Sequence, residues 1–563
     1  MAHLFHTLDS ARDLGRLQHI VGVLVRHGLG DAVRRMGWAD ALEKAGHVVH
    51  WEGAADLARL EPPVQVRRAL EELGPAFVKF GQILAGRADL LGPQWITELE
   101  HLHSRVPAVP FEVLRAQLVE DLGGEPDSLF ASFDEVPLAA ASIAQVHRAC
   151  LKDGTQVVVK VRRPGIRQVI DADLRLLERL AAMAARQWPD LQPYRPVALV
   201  QQFGQSLRRE LDLAYECRQA ERIAANFAQS ADIVIPKVYW EWTHERVNVQ
   251  QFVDGIPGDG VDQLDAQGLD RKLLARRGAQ AVLKMIVQDG LFHADPHPGN
   301  VFYLGGNRLA FIDFGMVGRL SGPRRDQLLK LMLGLVQRDA NAVADVLVNW
   351  ADGGSTTHED ALGVDIDAFV DLYHGVPLAQ LSLAAMLADV TAILRKHRLV
   401  LPADLALLIK AFITVEGMGR NLDPDFHMAT EALPLLKRAL RERYHPKAVA
   451  ARGWRSVQRM AELLTSMPDD LARLLRNVRH GGFQVHIDVK NLQRVGDQLE
   501  RAANRMTVGV VVAALIIGSS IVMTVGGGPQ LLGLPAFGLL GFLGALAGAL
   551  WLLRSIGRSG QRD

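Results

Sequence analysis

A few short stretches of this 563-residue chain bring together residue types that handle phosphate and magnesium. Val157-Val158-Val159-Lys160-Val161 sets one ammonium group into an apolar run, where burial without a partner would be costly. Glu210 and Glu216, about fifty residues on, offer the opposite charge. Further along, His293-Ala294-Asp295-Pro296-His297-Pro298-Gly299-Asn300 places a carboxylate and a carboxamide five positions apart, and Asp313-Phe314-Gly315 follows eighteen residues after Asp295. Oxygen donors of this kind suit hard Mg²⁺. Lys160 would orient phosphates, Asn300 and Asp313 would hold Mg²⁺, and Asp295 would position an attacking hydroxyl or water. A transition-metal site of His293, Asp295 and His297 would leave Asn300 and Asp313 without a role.

The elements needed to position these groups follow from periodicity. Between Ser128 and Arg163 the apolar period shortens from helical to two, which predicts strands over Leu129–Leu138, Ile143–Leu151 and Gln156–Val161, with Lys152–Thr155 as the turn joining the last two. Helices are predicted at about 168–187 and 197–229, then strands at Ile233–Trp240 and Arg246–Val253. From Leu269 to about Tyr444 the pattern is helical, interrupted by a loop-rich stretch at His293–Val317. Strand lysine, downstream glutamate, Asp-x4-Asn and Asp-Phe-Gly in this order predict an α+β, protein-kinase-like bilobal fold. The expected glycine-rich loop is missing. Ala139-Ala140-Ala141-Ser142 stands in its place, and alanine keeps a backbone farther from phosphate than glycine does.

Upstream, Gly74-Pro75 opens a helix carrying Lys79-Phe80-Gly81-Gln82. These features together resemble the UbiB family of atypical kinase-like proteins, associated with ubiquinone biosynthesis, over roughly Val21 to Asn504. The carriers are the KxGQ motif Lys79–Gln82, the alanine-rich Ala139–Ser142, the strand Lys160, the ExD motif Glu210-Leu211-Asp212, the HxDxHPGN motif His293–Asn300, and Asp313-Phe314-Gly315. The resemblance implies that the KxGQ helix, with Lys79, Gly81 and Gln82, covers the site where a peptide substrate would lie, and that Lys79 sits near the Glu210 and Asp212 carboxylates. It also implies ATP or ADP with Mg²⁺ as cofactors, and a hinge at Gln251 and Val253 that reads adenine through backbone groups. Glutamines at Gln250-Gln251 depart from the family's usual Met-Glu. Spacing does not choose between Glu210 and Glu216 for Lys160. The favoured assignment gives Glu216 to Lys160, and Glu210 with Asp212 to Lys79.

Thr507 to Leu553 contains no Asp, Glu, Lys or Arg. A bilayer core of roughly 30 Å takes about 20 apolar helical residues, so this stretch suits two spans, Thr507–Val525 and Leu531–Leu553, around the breaker Gly526-Gly527-Gly528-Pro529. Gly541, Gly544, Ala545 and Gly548 would allow close helix approach. Arg501 and Arg505 before the pair, and Arg554, Arg558 and Arg562 after it, predict both ends on the cytoplasmic face of the inner membrane. No signal peptide is expected, since His3, His6, Asp9 and Arg12 occupy the N-terminus.

The charge balance, 63 Lys plus Arg against 63 Asp plus Glu, provides no global attraction for nucleic acid. Cys150 and Cys217 are too few for a disulfide framework and read as core residues. The expected organisation is a helical extension over 1–122, a kinase-like N-lobe over 123–255, a C-lobe over 256–445, an amphipathic connecting segment over 446–505, and a two-helix transmembrane hairpin over 506–553. The expected function is a membrane-anchored, Mg-ATP-dependent atypical kinase-like ATPase supporting prenylated quinone biosynthesis. Membrane lipids, prenylated quinone intermediates and other quinone-biosynthesis enzymes are its expected partners. A small-molecule or lipid phosphotransferase and a nucleotide-binding pseudokinase scaffold are the competing readings.

Overall fold

Alternation along one strand explains which way the strand lysine faces. Val157, Val159 and Val161 are fully buried on one side of the sheet, so Lys160 turns to the other. The computed structural model describes residues 11–35, 60–102, 107–337, 339–350, 359–373, 382–444, 511–521, 530–531, 534–535, 540–541 and 543–549. The predicted amphipathic segment at 446–505 lies outside them. The chain divides into one compact unit over Met1–Val449 and a second over Ala450–Asp563.

The first unit begins with helices α1 (Ala11–Arg26), α2 (Pro62–Leu73), α3 (Pro75–Ala85), α4 (Pro93–Glu100) and α5 (Phe111–Leu122). A five-stranded antiparallel sheet follows. Its strands β1 (Ser132–Phe133), β3 (Ala144–Cys150), β4 (Gln156–Arg162) and β6 (Val247–Gln251) lie in that order, and β2 (Ala139–Ala140) also pairs with β3. Lys160 sits opposite Val146 on one side and Asn248 on the other. Leu114, Leu118 and Leu122 of α5 close the valine face in a shared core.

Several sequence expectations are corrected here. The strand predicted over Leu129–Leu138 shrinks to two residues, because Pro126–Leu129 forms a helical turn and Pro137 lacks an N–H to donate. Only Ile233–Val234 of the run to Trp240 is a strand, β5, cut short by Pro236; it pairs in parallel with β10 (Arg308–Phe311), away from the five-stranded sheet. The single helix predicted over 197–229 is two. After α6 (Ile166–Gln187), α7 (Pro196–Glu210) ends and α8 (Leu213–Asn226) restarts, with the Asp212 carboxylate accepting the Tyr215 N–H at 3.0 Å. An aspartate in that position caps a new helix.

The second half of this unit packs around α9 (Arg271–Lys284). The stretch read as loop-rich contains two sets of strands. β8 (Leu291–His293) pairs with β11 (Val317–Arg319), while β9 (Val301–Leu304) lies between β7 (Ile256–Pro257) and β10. Helices α10 (Gly322–Gln337), α11 (Ala340–Trp350), α12 (Glu359–Tyr373), α13 (Leu383–Lys396), α14 (Ala403–Leu422) and α15 (Met428–Tyr444) complete it.

In the second unit, helical stretches at 511–521 and 543–549 run antiparallel, since Gly548 meets Val512 and Gly541 meets Ser519. A Cβ on Gly548 would come within 2.7 Å of the Val512 side chain, so only glycine permits this approach. Ala545 is buried, whereas Val511, Ile516, Ile517, Ile521, Leu543 and Leu546 point outward. Leu531 does not begin a helix. It pairs with Leu534 in a short antiparallel ladder, β12 (Gln530–Leu531) with β13 (Leu534–Pro535), so the connection is longer than Gly526–Pro529. Among the described residues no helix is long and apolar enough to cross a membrane.

Candidate active site

A cavity of about 700 Å³ gathers Lys79, Gln82, Ala140, Ala141, Ser142, Lys160, Glu210, Asp295, His297, Asn300, Asp313 and Gly315. Glu216 sits behind this wall, buried. Lys160 Nζ donates to both its oxygens, at 2.9 and 3.1 Å, and lies 3.4 Å from Asp313 Oδ2. Burial opposes the Lys160 charge, but Asp313 and Glu216 outweigh it and raise its pKa.

The helix break separates the two glutamates. Glu210, at the C-terminal end of α7, pairs with Lys79 of α3 at 2.5 Å, while Glu216 occupies the first turn of α8. Asp212 does not join Lys79: it caps α8 and pairs with Arg218 at 3.0 Å. Burial acts against the Lys79 ammonium too, and Glu210, with Asp313 and Asp295 beyond it, raises its pKa.

The catalytic-loop residues are fixed by backbone contacts. His293 is fully buried; its Nδ1 accepts the Asp295 N–H at 3.2 Å and its Nε2 lies 3.1 Å from Ile312 O. Burial lowers its pKa, so the neutral ring donates through Nε2. Asn300 donates through Nδ2 to Asp295 O at 3.1 Å, which leaves Oδ1 without a protein partner among the described residues. Asp313 has φ 56°, a strained value for a residue with a Cβ, and its Oδ1 accepts the Gly315 N–H at 3.2 Å. Desolvation within the cleft would raise the Asp313 pKa, but Lys160 and Lys79 hold it well below the usual carboxylate range. The free amide oxygen of Asn300 and the ionised, half-exposed Asp313 fit Mg²⁺, which takes few protein oxygens and completes its shell with phosphates and water.

The alanine turn is closed on itself. Ala139 and Ala140 are paired in β2, the Ala141 N–H donates to Ala144 O, and Arg163 donates to Ala141 O at 2.9 Å. Backbone donors that a glycine-rich loop would offer to phosphate are therefore partly used. Ala139, Gln251 and Val253 do not border the cavity; the Gln251 N–H donates to Lys237 O, on the far side of β6 from β4. Gly81 does not border the cavity either. A Cβ there would meet Leu102 at 2.3 Å and Leu70 at 2.8 Å, so Gly81 lets α3 lie tight against α2 and the residues after α4.

Sequence reasoning missed two parts of the site. Lys410 of α14 pairs with Asp295 Oδ1 at 2.7 Å. It is a lone charge in the apolar run Leu405–Phe412, the same signal that marked Lys160. Behind α3, Arg87 makes a buried fork with Asp89 at 2.8 and 2.7 Å and donates to Leu401 O at 3.0 Å. The Leu401 N–H returns a bond to Asp89, and Arg395 donates to Ala88 O and Leu91 O. This latch ties the end of the KxGQ helix to α13 and α14. Cys217 is a core residue, its thiol pushed up to about 12 by burial, and Cys150 is half-buried.

Residues 101–347 match the family model of the ABC1 atypical kinase-like domain, 366–427 the UbiB helical domain, and 490–558 the ABC1/UbiB kinase-like C-terminal domain. A protein of Aeromonas salmonicida named "Probable protein kinase UbiB" is 33% identical over 90% of this chain and 93% of its own. One of the same name from Xanthomonas campestris pv. campestris is 34% identical over 83% and 86%. A solved Mycobacterium tuberculosis structure, Rv3197 with erythromycin, is 22% identical over 66% of this chain and 96% of its own, at a TM-score of 0.37, too low to compare the two architectures.

Proposed function

The chain belongs to the ABC1/UbiB family of atypical kinase-like proteins, and from that premise we propose that it is a membrane-anchored, Mg-ATP-dependent ATPase supporting prenylated quinone biosynthesis. The observation that carries this reading is the convergence of Lys79, Lys160, Asp295, Asn300 and Asp313 on one cavity. Asn300 Oδ1 and Asp313 would hold Mg²⁺, which when bound neutralises developing phosphate charge. Lys160, held by Glu216, is placed to orient the phosphates. Asp295 accepts the proton of the attacking oxygen through Oδ2, which has no hydrogen-bond partner among the described residues.

Water fits the site better as acceptor than a polypeptide does. The KxGQ helix, with Glu100 and Leu102 beyond it, walls the cavity, and Leu70, Leu102 and the Arg87 latch hold that helix in place. The closed alanine turn favours looser nucleotide phosphate contacts than a glycine loop would make. The outward apolar residues of the 511–521 and 543–549 helices support seating this second unit in the cytoplasmic membrane, and Arg501, Arg505, Arg554, Arg558 and Arg562 favour the cytoplasmic face for its two ends. Membrane lipids, prenylated quinone intermediates and other quinone-biosynthesis enzymes are the partners that go with this placement.

The test is Mg²⁺-dependent phosphate release from ATP by the full chain in liposomes, comparing wild type with Asp313→Asn and analysing the lipid fraction. The expected result is a loss of about 100- to 1,000-fold in Asp313→Asn, the scale of a lost electrostatic anchor, with no phosphorylated lipid. A phosphorylated small molecule or lipid would make the protein a phosphotransferase. Equal background rates in both would leave a nucleotide-binding scaffold.

A further inference from the structure

The kinase-like match ends at residue 347, yet one polar wall of the cleft comes from beyond it. Lys410 lies in α14, within the helical-domain match. Its neighbours Leu408, Ile409, Ala411 and Phe412 are buried, while Lys410 runs past Gly86 at the end of α3 and reaches Asp295 Oδ1 at 2.7 Å. The Asp295 main chain is held on both sides: its N–H donates to His293, and its carbonyl accepts from Asn300 and from the His297 N–H. Those bonds fix the backbone and leave the carboxylate free to rotate. Among the described residues Lys410 is the side chain that forms an ion pair with this carboxylate.

We propose that Lys410 is a positioning residue for phosphoryl transfer, gripping Asp295 by Oδ1 so that Oδ2 is left for the attacking hydroxyl or water. The inference rests on the reading of the cavity as a Mg-ATP site. In the step it serves, a lone pair of the attacking oxygen forms a bond to the γ-phosphorus. The bond from that phosphorus to the β,γ-bridging oxygen breaks, its electron pair leaving with ADP, and the proton of the attacking O–H passes to Oδ2. A carboxylate turned away by a misplaced grip would lose much of that step, because small errors of orientation cost on the order of 100-fold in rate. The helical domain thus contributes to the chemistry from outside the kinase-like core.

The experiment compares wild type, Lys410→Met and Lys410→Arg as full chains in liposomes, with Mg-ATP as the probe. It measures kcat, KM and, by calorimetry, nucleotide Kd, with Tm to report folding. The proposal expects kcat of Lys410→Met to fall about 100-fold, with Kd and KM within about threefold of wild type and rescue to within about tenfold by Lys410→Arg. A Lys410→Met kcat within about threefold of wild type overturns it, as does a loss carried entirely by KM and Kd, which would make Lys410 a nucleotide contact. Absence of wild-type turnover overturns the ATPase reading itself and the proposal with it, so the two failures are distinguishable.

Discussion

Lys79 and Arg87 stand eight residues apart, on one helix and its exit, yet their ion pairs are built on opposite terms. Lys79 meets Glu210 in a cleft where Lys160, Lys410, Asp295 and Asp313 crowd together and some carboxylate oxygens lack a partner among the described residues. Arg87 and Asp89 are buried, and their groups are matched with each other and with the Leu401 backbone. Charges that must trade protein partners for phosphate and magnesium are kept near solvent and in excess. Charges that only hold are buried and satisfied, because an unsatisfied member there would cost too much.

Breaking the satisfied set should do the most damage to stability. Arg87→Met leaves Asp89 buried without its fork, and we expect a loss of about 4 kcal/mol in urea unfolding. A loss below about 1 kcal/mol would mean the latch is no more than a surface contact. A second pair, with a buried carboxylate, sharpens the point through pH. Arg16 of α1 donates to Asp173 of α6 at 2.7 and 3.0 Å, and Asp173 is fully buried. Burial raises the Asp173 pKa although Arg16 opposes it.

A carboxyl with a raised folded pKa contributes stability that is full below the unfolded pKa and is lost as pH rises through the folded one. Arg16→Leu raises the folded value further. The variant should therefore lose about 3 kcal/mol at pH 8 and clearly less at pH 5; a penalty that is flat or grows on acidification would contradict the assignment. The smallest effect belongs to the cleft. Glu210→Gln should cost about 1 kcal/mol, since glutamine still accepts from Lys79 and Asp313 and Asp295 still attract its charge. A cost equal to that of Arg87→Met would erase the contrast between the two regions.

The chemistry-bearing residues were legible because their types are improbable where they stand: a lysine among valines, a carboxylate and a carboxamide at fixed spacing, an alanine turn where glycine is expected. Lys160, Asp295, Asn300 and Asp313 do meet in one cavity. Local rules failed where a single residue overrode its neighbours. Pro137 and Pro236 cut strands that hydropathy alone would extend, and Asp212 split a helix whose apolar spacing runs on through it. Gly81 shares its motif with Lys79, but the space a side chain would need there is taken by Leu70 and Leu102. Lys410 lay more than a hundred residues from the carboxylate it meets. Arg87, likewise, is completed by the backbone carbonyl of Leu401, which no side-chain pattern encodes.

The cap at Asp212 also decides which element sets each carboxylate of the cleft. On one unbroken helix, Glu210 and Glu216 would take their positions from a single element. Ending one helix at Glu210 and starting another at Leu213 divides that task between two helices. The carboxylate that meets Lys160 is thus set by α8 and the one that meets Lys79 by α7, through two elements instead of one.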